Sequence, residues 1–127
     1  MITGGCLCGA VRYEITGEAQ APSACHCSQC RKISGHFWAG SSVKHDVFKI
    51  VKDDGLKWFT SSDWAKRGFC QDCGSSLFYQ MNTEDFVSVS PASMDDAGDL
   101  RLKRHIFVKD KADYYDIGDG LPQIETY

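Results

Sequence analysis

The chain has 127 residues, of which 43% are hydrophobic and 24% are charged, values typical of one domain with a hydrophobic core. Its formal net charge of −3 argues against nucleic-acid and anionic-membrane partners, and no segment approaches the roughly 18 apolar residues of a membrane span. The first residues, MITGGCLCGAVRYEI, have neither the charged region nor the apolar run of a secretory signal, so we expect a cytoplasmic protein.

The first predicted elements are short strands. AVRYEIT (10–16) alternates Val11, Tyr13 and Ile15 on one face, which is the period-two pattern of a half-buried strand. Farther along, VFKIV and LKWFT flank KDDG (52–55). This combination is typical of a β-hairpin with a glycine in its turn.

The second half of the chain continues the same pattern. SLFYQM, FVSVS and HIFV (105–108) have strand lengths with apolar or alternating sequences, and a polar tail rich in turn-forming residues follows them. No stretch has a long 3.6-residue period, although CSQCRKISG is compatible with one helical turn. We therefore expect a mostly β fold in which residues 1–127 form a single domain.

Cysteine is the most informative residue type in this chain. The seven cysteines form three tight groups: Cys6 and Cys8; Cys25, Cys27 and Cys30; Cys70 and Cys73. An odd number of cysteines and a reducing cytosol both argue against a disulfide framework. Unrelated core cysteines would be scattered along the chain, so the clustering favours metal binding.

Two of the groups share a local pattern that predicts a structural zinc site. CLCG and CQDCG both end in Cys-Gly, at Gly9 and Gly74, and a glycine after the last sulfur lets the backbone turn with a positive φ angle. Together they supply four sulfurs, enough for a closed tetrahedral site. The predicted ligands are Cys6, Cys8, Cys70 and Cys73. A redox-active Cys70–Cys73 pair is the alternative, but the βαβ context usual for such motifs is absent.

The remaining group, CHCSQCRKISG, offers only three thiols: Cys25, Cys27 and Cys30. If a histidine supplies a fourth ligand the site is closed, and otherwise the metal has a position open for chemistry. The candidate histidines are His26, His36, His45 and His105. His26 should point away from the thiols, because adjacent side chains alternate along an extended segment.

Four segments together carry a family resemblance: GGCLCGAVRYE, CHCSQCRKISG, FCQDCGSSLF and HIFVKDKADYYDIGDGLP. In this order, over residues 4–122, they resemble the glutathione-dependent formaldehyde-activating enzyme family, which includes centromere protein V-like proteins. The resemblance implies an Mss4-like fold of small antiparallel sheets stapled by zinc. It also implies two Zn²⁺ ions per chain, one structural and one catalytic. The catalytic ligands would be Cys25, Cys27 and Cys30, with the fourth position open to water or substrate.

The activity that the resemblance implies is that of a carbon–sulfur lyase, similar to S-(hydroxymethyl)glutathione synthase. Its partners would be a small thiol such as glutathione and a small carbonyl such as formaldehyde. Zinc would lower the pKa of the thiol, which is otherwise largely protonated at neutral pH. His26, Arg31 and Lys32 are candidates for binding a substrate carboxylate or handling a proton, although Arg31 and Lys32 could equally be a solvated basic pair.

A non-catalytic function remains open at this point. In that alternative both zinc ions are structural, and the domain is a binding module for a protein partner. A fourth protein ligand at the three-cysteine group would favour the module, and an open position would favour the enzyme. The aromatic residues could line a pocket, although core packing is their more ordinary role. They are Phe37, Trp38, Trp58, Phe59 and Trp64.

Overall fold

The computed structural model describes residues 1–127, and most of its regular structure is strand. The strands are β1 (Ile2–Gly5), β2 (Arg12–Ile15), β3 (Ser23–Cys25), β4 (Trp38–Lys44), β5 (Phe48–Lys52), β6 (Leu56–Ser62), β7 (Ala65–Cys70), β8 (Ser76–Met81), β9 (Phe86–Val89) and β10 (Arg104–Ile106). A single α-helix, α1 (Ser28–Ser34), follows β3, and single 3₁₀ turns follow β4, β9 and β10. None of the helices has the length and apolar character needed to cross a membrane. The mostly β fold class is confirmed.

The strands form two sheets. The smaller has the order β1-β2-β5 and is antiparallel throughout, and the larger has the order β10-β3-β4-β9-β8-β7-β6. Within the larger sheet only the edge pair β10–β3 is parallel, with Arg104 opposite Ser23 and Ile106 opposite Cys25. The expected antiparallel arrangement therefore holds except at this pair, which brings the end of the chain beside the strand that leads into α1.

The hydrophobic core joins the two sheets. Val11, Tyr13 and Ile15 are fully buried, as the alternation in AVRYEIT predicts. The Tyr13 ring meets the Phe78 ring of the larger sheet edge-on, with centroids 5.6 Å apart, a geometry that aromatic pairs favour. Further core residues come from the larger sheet and the segments around it: Val43, Leu77, Val87, Val89 and Met94.

The prediction of a β-hairpin around residues 52–55 is wrong. A turn does form, since the Leu56 N–H donates to the Asp53 carbonyl at 3.0 Å. However, β5 pairs with β2 in the smaller sheet and β6 pairs with β7 in the larger one. The local sequence signals a turn, but it does not specify whether the flanking strands pair with each other, and here the chain crosses from one sheet to the other.

Candidate metal centres

Four cysteine side chains converge where the two sheets meet. Their sulfur atoms all lie within 4.8 Å of one another, and the Cys6–Cys8 and Cys8–Cys70 sulfur separations are both 3.7 Å. A tetrahedral zinc with Zn–S bonds of about 2.3 Å would hold its sulfurs about 3.8 Å apart. The four thiols of Cys6, Cys8, Cys70 and Cys73 therefore fit a closed metal site.

Tight turns position these thiols. Gly9 and Gly74 have φ angles of +84° and +80°, so the left-handed backbone predicted after each Cys-Gly step is present. The Val11 N–H donates to Cys6 Sγ at 3.2 Å, which stabilises a thiolate there. Ser75 contacts Cys73 Sγ through its hydroxyl at 3.2 Å, and this hydrogen bond lowers the pKa of Cys73 to about 5.

The three remaining thiols form a second cluster at the start of the helix. Cys25 ends β3, Cys27 caps the N-terminus of α1, Cys30 lies within α1, and their sulfurs are within 4.8 Å of one another. The Cys30 N–H donates to Cys27 Sγ at 3.3 Å. Hydrogen bonds from the Cys25 and Cys30 thiols lower the pKa of Cys27.

A buried arginine that sequence reasoning missed lies against this cluster. Arg67, only 5% exposed, donates to Cys30 Sγ at 3.4 Å and to Gln29 Oε1 at 2.9 Å. Its guanidinium carbon lies 4.7 Å from the centre of the Tyr79 ring, a cation–π contact. The cation hydrogen-bonded to the thiols therefore comes from β7, whereas the side chains of Arg31 and Lys32 form no hydrogen bond to these sulfurs.

No histidine joins the three thiols. His26 is fully buried and points away from them, as alternation predicts, with Nε2 2.9 Å from His105 Nδ1 and Nδ1 bonded to the Tyr115 hydroxyl. His36 pairs with Tyr114 on the surface. His45 lines a separate groove.

The buried histidine pair belongs to a directed hydrogen-bond chain that ends at Asp119, where His105 Nε2 lies 2.7 Å from the carboxylate. Because a carboxylate only accepts, His105 donates through Nε2 and accepts from His26 Nε2, and His26 in turn accepts from the Tyr115 hydroxyl. Burial lowers the pKa of His26 to about 4, which keeps it neutral in this chain. Through Tyr115 and Asp119, these hydrogen bonds hold the C-terminal tail behind the segment that carries Cys25 and Cys27.

The three thiols open into a cavity of about 510 Å³, a volume in the usual range for small-molecule sites. Trp38 and Trp64 of the predicted aromatic set line it, together with Tyr79. The other three aromatic residues lie elsewhere: Phe37 against His26, Trp58 in the second groove, and Phe59 exposed on the surface.

The residues predicted to handle substrate do not line this cavity. His26 is buried behind the cluster, Arg31 is half-buried and Lys32 is exposed. The basic residues that do line it are Arg67, Lys103 and Arg104. No pattern around Cys25, Cys27 and Cys30 signals these three residues, because Arg67 lies on β7, Arg104 begins β10 and Lys103 directly precedes it.

Comparisons with known proteins agree with one another. The family model described as "Glutathione-dependent formaldehyde-activating enzyme" matches residues 1–110. An uncharacterized lyase of Schizosaccharomyces pombe is 26% identical over 118 residues, covering 91% of this chain and 85% of the relative. A Halomonas elongata protein provisionally named as a glutathione-dependent formaldehyde-activating enzyme is 26% identical over 132 residues, covering 92% of this chain and 81% of its own.

The fold also has a solved counterpart. A crystal structure of a Rhodobacter sphaeroides protein superposes with a TM-score of 0.64 at 24% sequence identity, covering 76% of this chain and 91% of that one. At this level of identity the likeness supports the fold alone.

Proposed function

Because the chain belongs to the glutathione-dependent formaldehyde-activating enzyme family, we propose that it is a zinc-dependent carbon–sulfur lyase acting on a small thiol adduct. The observation that carries the proposal is the cluster of three thiols without a fourth protein ligand, facing a cavity of about 510 Å³. The word lyase in the name of the S. pombe relative supports the same reaction class.

Each cysteine group has its own role in this proposal. The structural zinc is held by Cys6, Cys8, Cys70 and Cys73. The catalytic zinc would be held by Cys25, Cys27 and Cys30, which line the cavity. We infer a cytoplasmic location as well, since all seven cysteines are free and such thiols stay reduced there.

The substrates of the proposed reaction are a thiol such as glutathione and a carbonyl such as formaldehyde. Bound zinc supplies a Lewis acid that lowers the pKa of an incoming thiol. The thiol sulfur forms a bond to the carbonyl carbon, and the proton lost from sulfur ends on the carbonyl oxygen. The product is an S-hydroxymethyl adduct, and the reverse reaction breaks the same carbon–sulfur bond.

The chain's own residues prepare the site for this chemistry. Arg67 places a fixed positive charge against Cys30 and offsets the net negative charge of three thiolates around one divalent ion. Gln29 holds Arg67 in place through its side-chain oxygen. Trp38 and Trp64 supply apolar surface to the wall of the cavity.

The substitution Cys27→Ser tests the proposal. Wild-type protein should contain two zinc ions per chain by elemental analysis, and it should speed the formation of the S-hydroxymethyl adduct, followed by NMR with ¹³C-formaldehyde and glutathione. The variant should contain one zinc, keep the wild-type circular dichroism spectrum and lose the activity. The reason is that Cys27 is one of only three side chains whose sulfurs meet at this site, so serine in its place leaves two thiols to hold the ion.

Lys49→Ala is the matched control, because Lys49 is an exposed residue of β5 in the other sheet. It should leave both the zinc content and the activity unchanged. A folded Cys27→Ser variant with full activity would contradict the proposal. Two zinc ions in a wild-type protein that neither binds nor turns over any thiol would instead favour the binding module.

A further inference from the structure

The cavity next to the three thiols is lined by basic side chains that form no salt bridge with an acidic residue. Lys103 and Arg104 line it, and neither takes part in any ion pair of the molecule. Arg67 also lines it, but that guanidinium already contacts Cys30. Glu84 is the only acidic residue in the lining. Such a surplus favours an anionic occupant.

The parallel pairing of β10 with β3 sets the position of Arg104. Arg104 lies opposite Ser23 and Ile106 lies opposite Cys25, and all four residues line the cavity. Side chains two residues apart on a strand share a face and are separated by about 6.6 Å. Arg104 therefore lies on the same face as Cys25, one such step along the sheet.

Local contacts hold the Arg104 guanidinium in place and leave its terminal nitrogens free. Its Nε donates to Ser23 Oγ at 3.1 Å, and its central carbon lies 5.8 Å from the centre of the Tyr127 ring. The two terminal nitrogens have no hydrogen-bond partner in the protein. A guanidinium fixed at Nε still offers N–H groups in the planar arrangement that matches a carboxylate.

We propose that Arg104 binds a carboxylate of the thiol substrate, so that the cavity selects anionic thiols over uncharged ones. This inference rests on the proposed function, in which the sulfur of the substrate lies at Cys25, Cys27 and Cys30. Glutathione fits the requirement because both of its ends carry a carboxylate several bonds from the sulfur. Tyr127 lies outside the residues matched by the family model, so part of this subsite belongs to the tail of this chain.

The experiment compares glutathione with glutathione diethyl ester, in which both carboxylates are masked. Binding to the zinc-loaded protein is measured by titration calorimetry without formaldehyde, and kcat/KM is measured with formaldehyde. Wild-type protein should prefer the free acid by about 10- to 100-fold, the effect of losing hydrogen bonds to a charged group. Arg104→Ala should lose this preference by binding the acid more weakly, with the ester unaffected.

Two further variants sharpen the comparison. Arg104→Lys keeps the positive charge but lacks the planar guanidinium, so it should retain only part of the preference for the free acid. Arg101→Ala removes an exposed arginine that lies outside the cavity, and it should behave as wild type.

The outcomes separate the two proposals. A wild-type protein without preference for the acid, or a folded Arg104→Ala variant that keeps the full preference, would overturn the role of Arg104. A clear preference in binding that depends on Arg104, with no turnover of either thiol, would support the subsite and contradict the lyase function. The ester comparison on wild-type protein needs no substitution, so it holds even where a variant fails to fold.

Discussion

Arg67 and the three thiols it faces stabilise each other. A guanidinium stays charged at any ordinary pH, and burying it without a counter-charge is costly. With Arg67 only 5% exposed and no carboxylate beside it, the compensating negative charge comes from the thiolates, through the contact with Cys30. The charge of Arg67 lowers the pKa of Cys30 and so opposes the Cys27 thiol and burial, which together raise that pKa above its ordinary value.

Replacing Arg67 by glutamine should therefore weaken metal binding at the three-cysteine site. Loss of such an outer partner typically lowers metal affinity by about 10- to 100-fold. The affinity is measured by competition with a chromophoric chelator, which resolves the weaker site from the tighter one.

Lys66→Gln is the control on the same strand, because Lys66 lies over the Trp58 ring at 4.4 Å and belongs to the other groove. It should leave both affinities unchanged. Equal affinities in wild type and Arg67→Gln would mean that Arg67 only packs against Cys30 without tuning it.

At the scale of elements, the turn between β5 and β6 packs closely against the four-cysteine site. The Gly55 N–H donates to the Ala10 carbonyl at 3.1 Å, and the Gly55 carbonyl accepts from the Gln71 N–H at 2.7 Å. These hydrogen bonds hold the turn against the loop that follows Cys8 and the loop between Cys70 and Cys73. A Cβ at position 55 would lie 2.7 Å from Cys70 Sγ and 2.8 Å from the Ala10 Cβ.

Gly55→Ala should consequently disturb the four-cysteine site, although alanine is an otherwise mild change. Overpacking of this kind typically costs about 1–3 kcal/mol. We expect a lower thermal unfolding temperature and weaker binding of the structural zinc, measured by calorimetry and chelator competition.

Gly118→Ala is the matched control, since a Cβ there meets no atom within 4 Å. It should leave both quantities at their wild-type values. If the Gly55→Ala variant unfolds at the wild-type temperature, the prediction is wrong, and the loop can move enough to accommodate the added methyl group.

In the molecule as a whole, two features join the sheets: the core around Tyr13 and Phe78, and the four-cysteine site. Cys8 and Cys70 are 62 residues apart in sequence. A cross-link that closes a loop of this length removes about 4 kcal/mol of chain entropy from the unfolded state, if it acts as a disulfide does. Metal binding should then account for a large share of the total stability.

Removing the metal with a chelator, in the presence of a thiol-free reductant, should lower the unfolding temperature markedly. Differential scanning calorimetry before and after chelation checks this, and added zinc should restore the original transition. Cys27→Ser protein lacks the catalytic ion in our proposal. Its unfolding temperature should fall by a similar amount on chelation, because the four-cysteine site is the one that stabilises the fold. An unchanged transition after complete metal removal would show that the core alone holds the sheets together.

The features that depend on near neighbours along the chain could be predicted from the sequence. The Cys-Gly steps predict the left-handed turns at Gly9 and Gly74, and the alternation through Val11, Tyr13 and Ile15 predicts a buried strand face. The Cys-Gly steps also distinguish the two groups that contain them from the three-cysteine group, in which arginine follows the last cysteine. Each of these features needs only a few consecutive residues, whose local geometry the backbone restricts.

Which distant residues surround the three-cysteine cavity depends on the tertiary structure. Arg67 reaches Cys30 across 37 positions, and Arg104 reaches Ser23 across 81. The turn at residues 52–55 was predictable, but the sheet change that follows it was not. Strand pairing depends on which apolar faces can be buried together, a property of the whole chain that no local pattern contains.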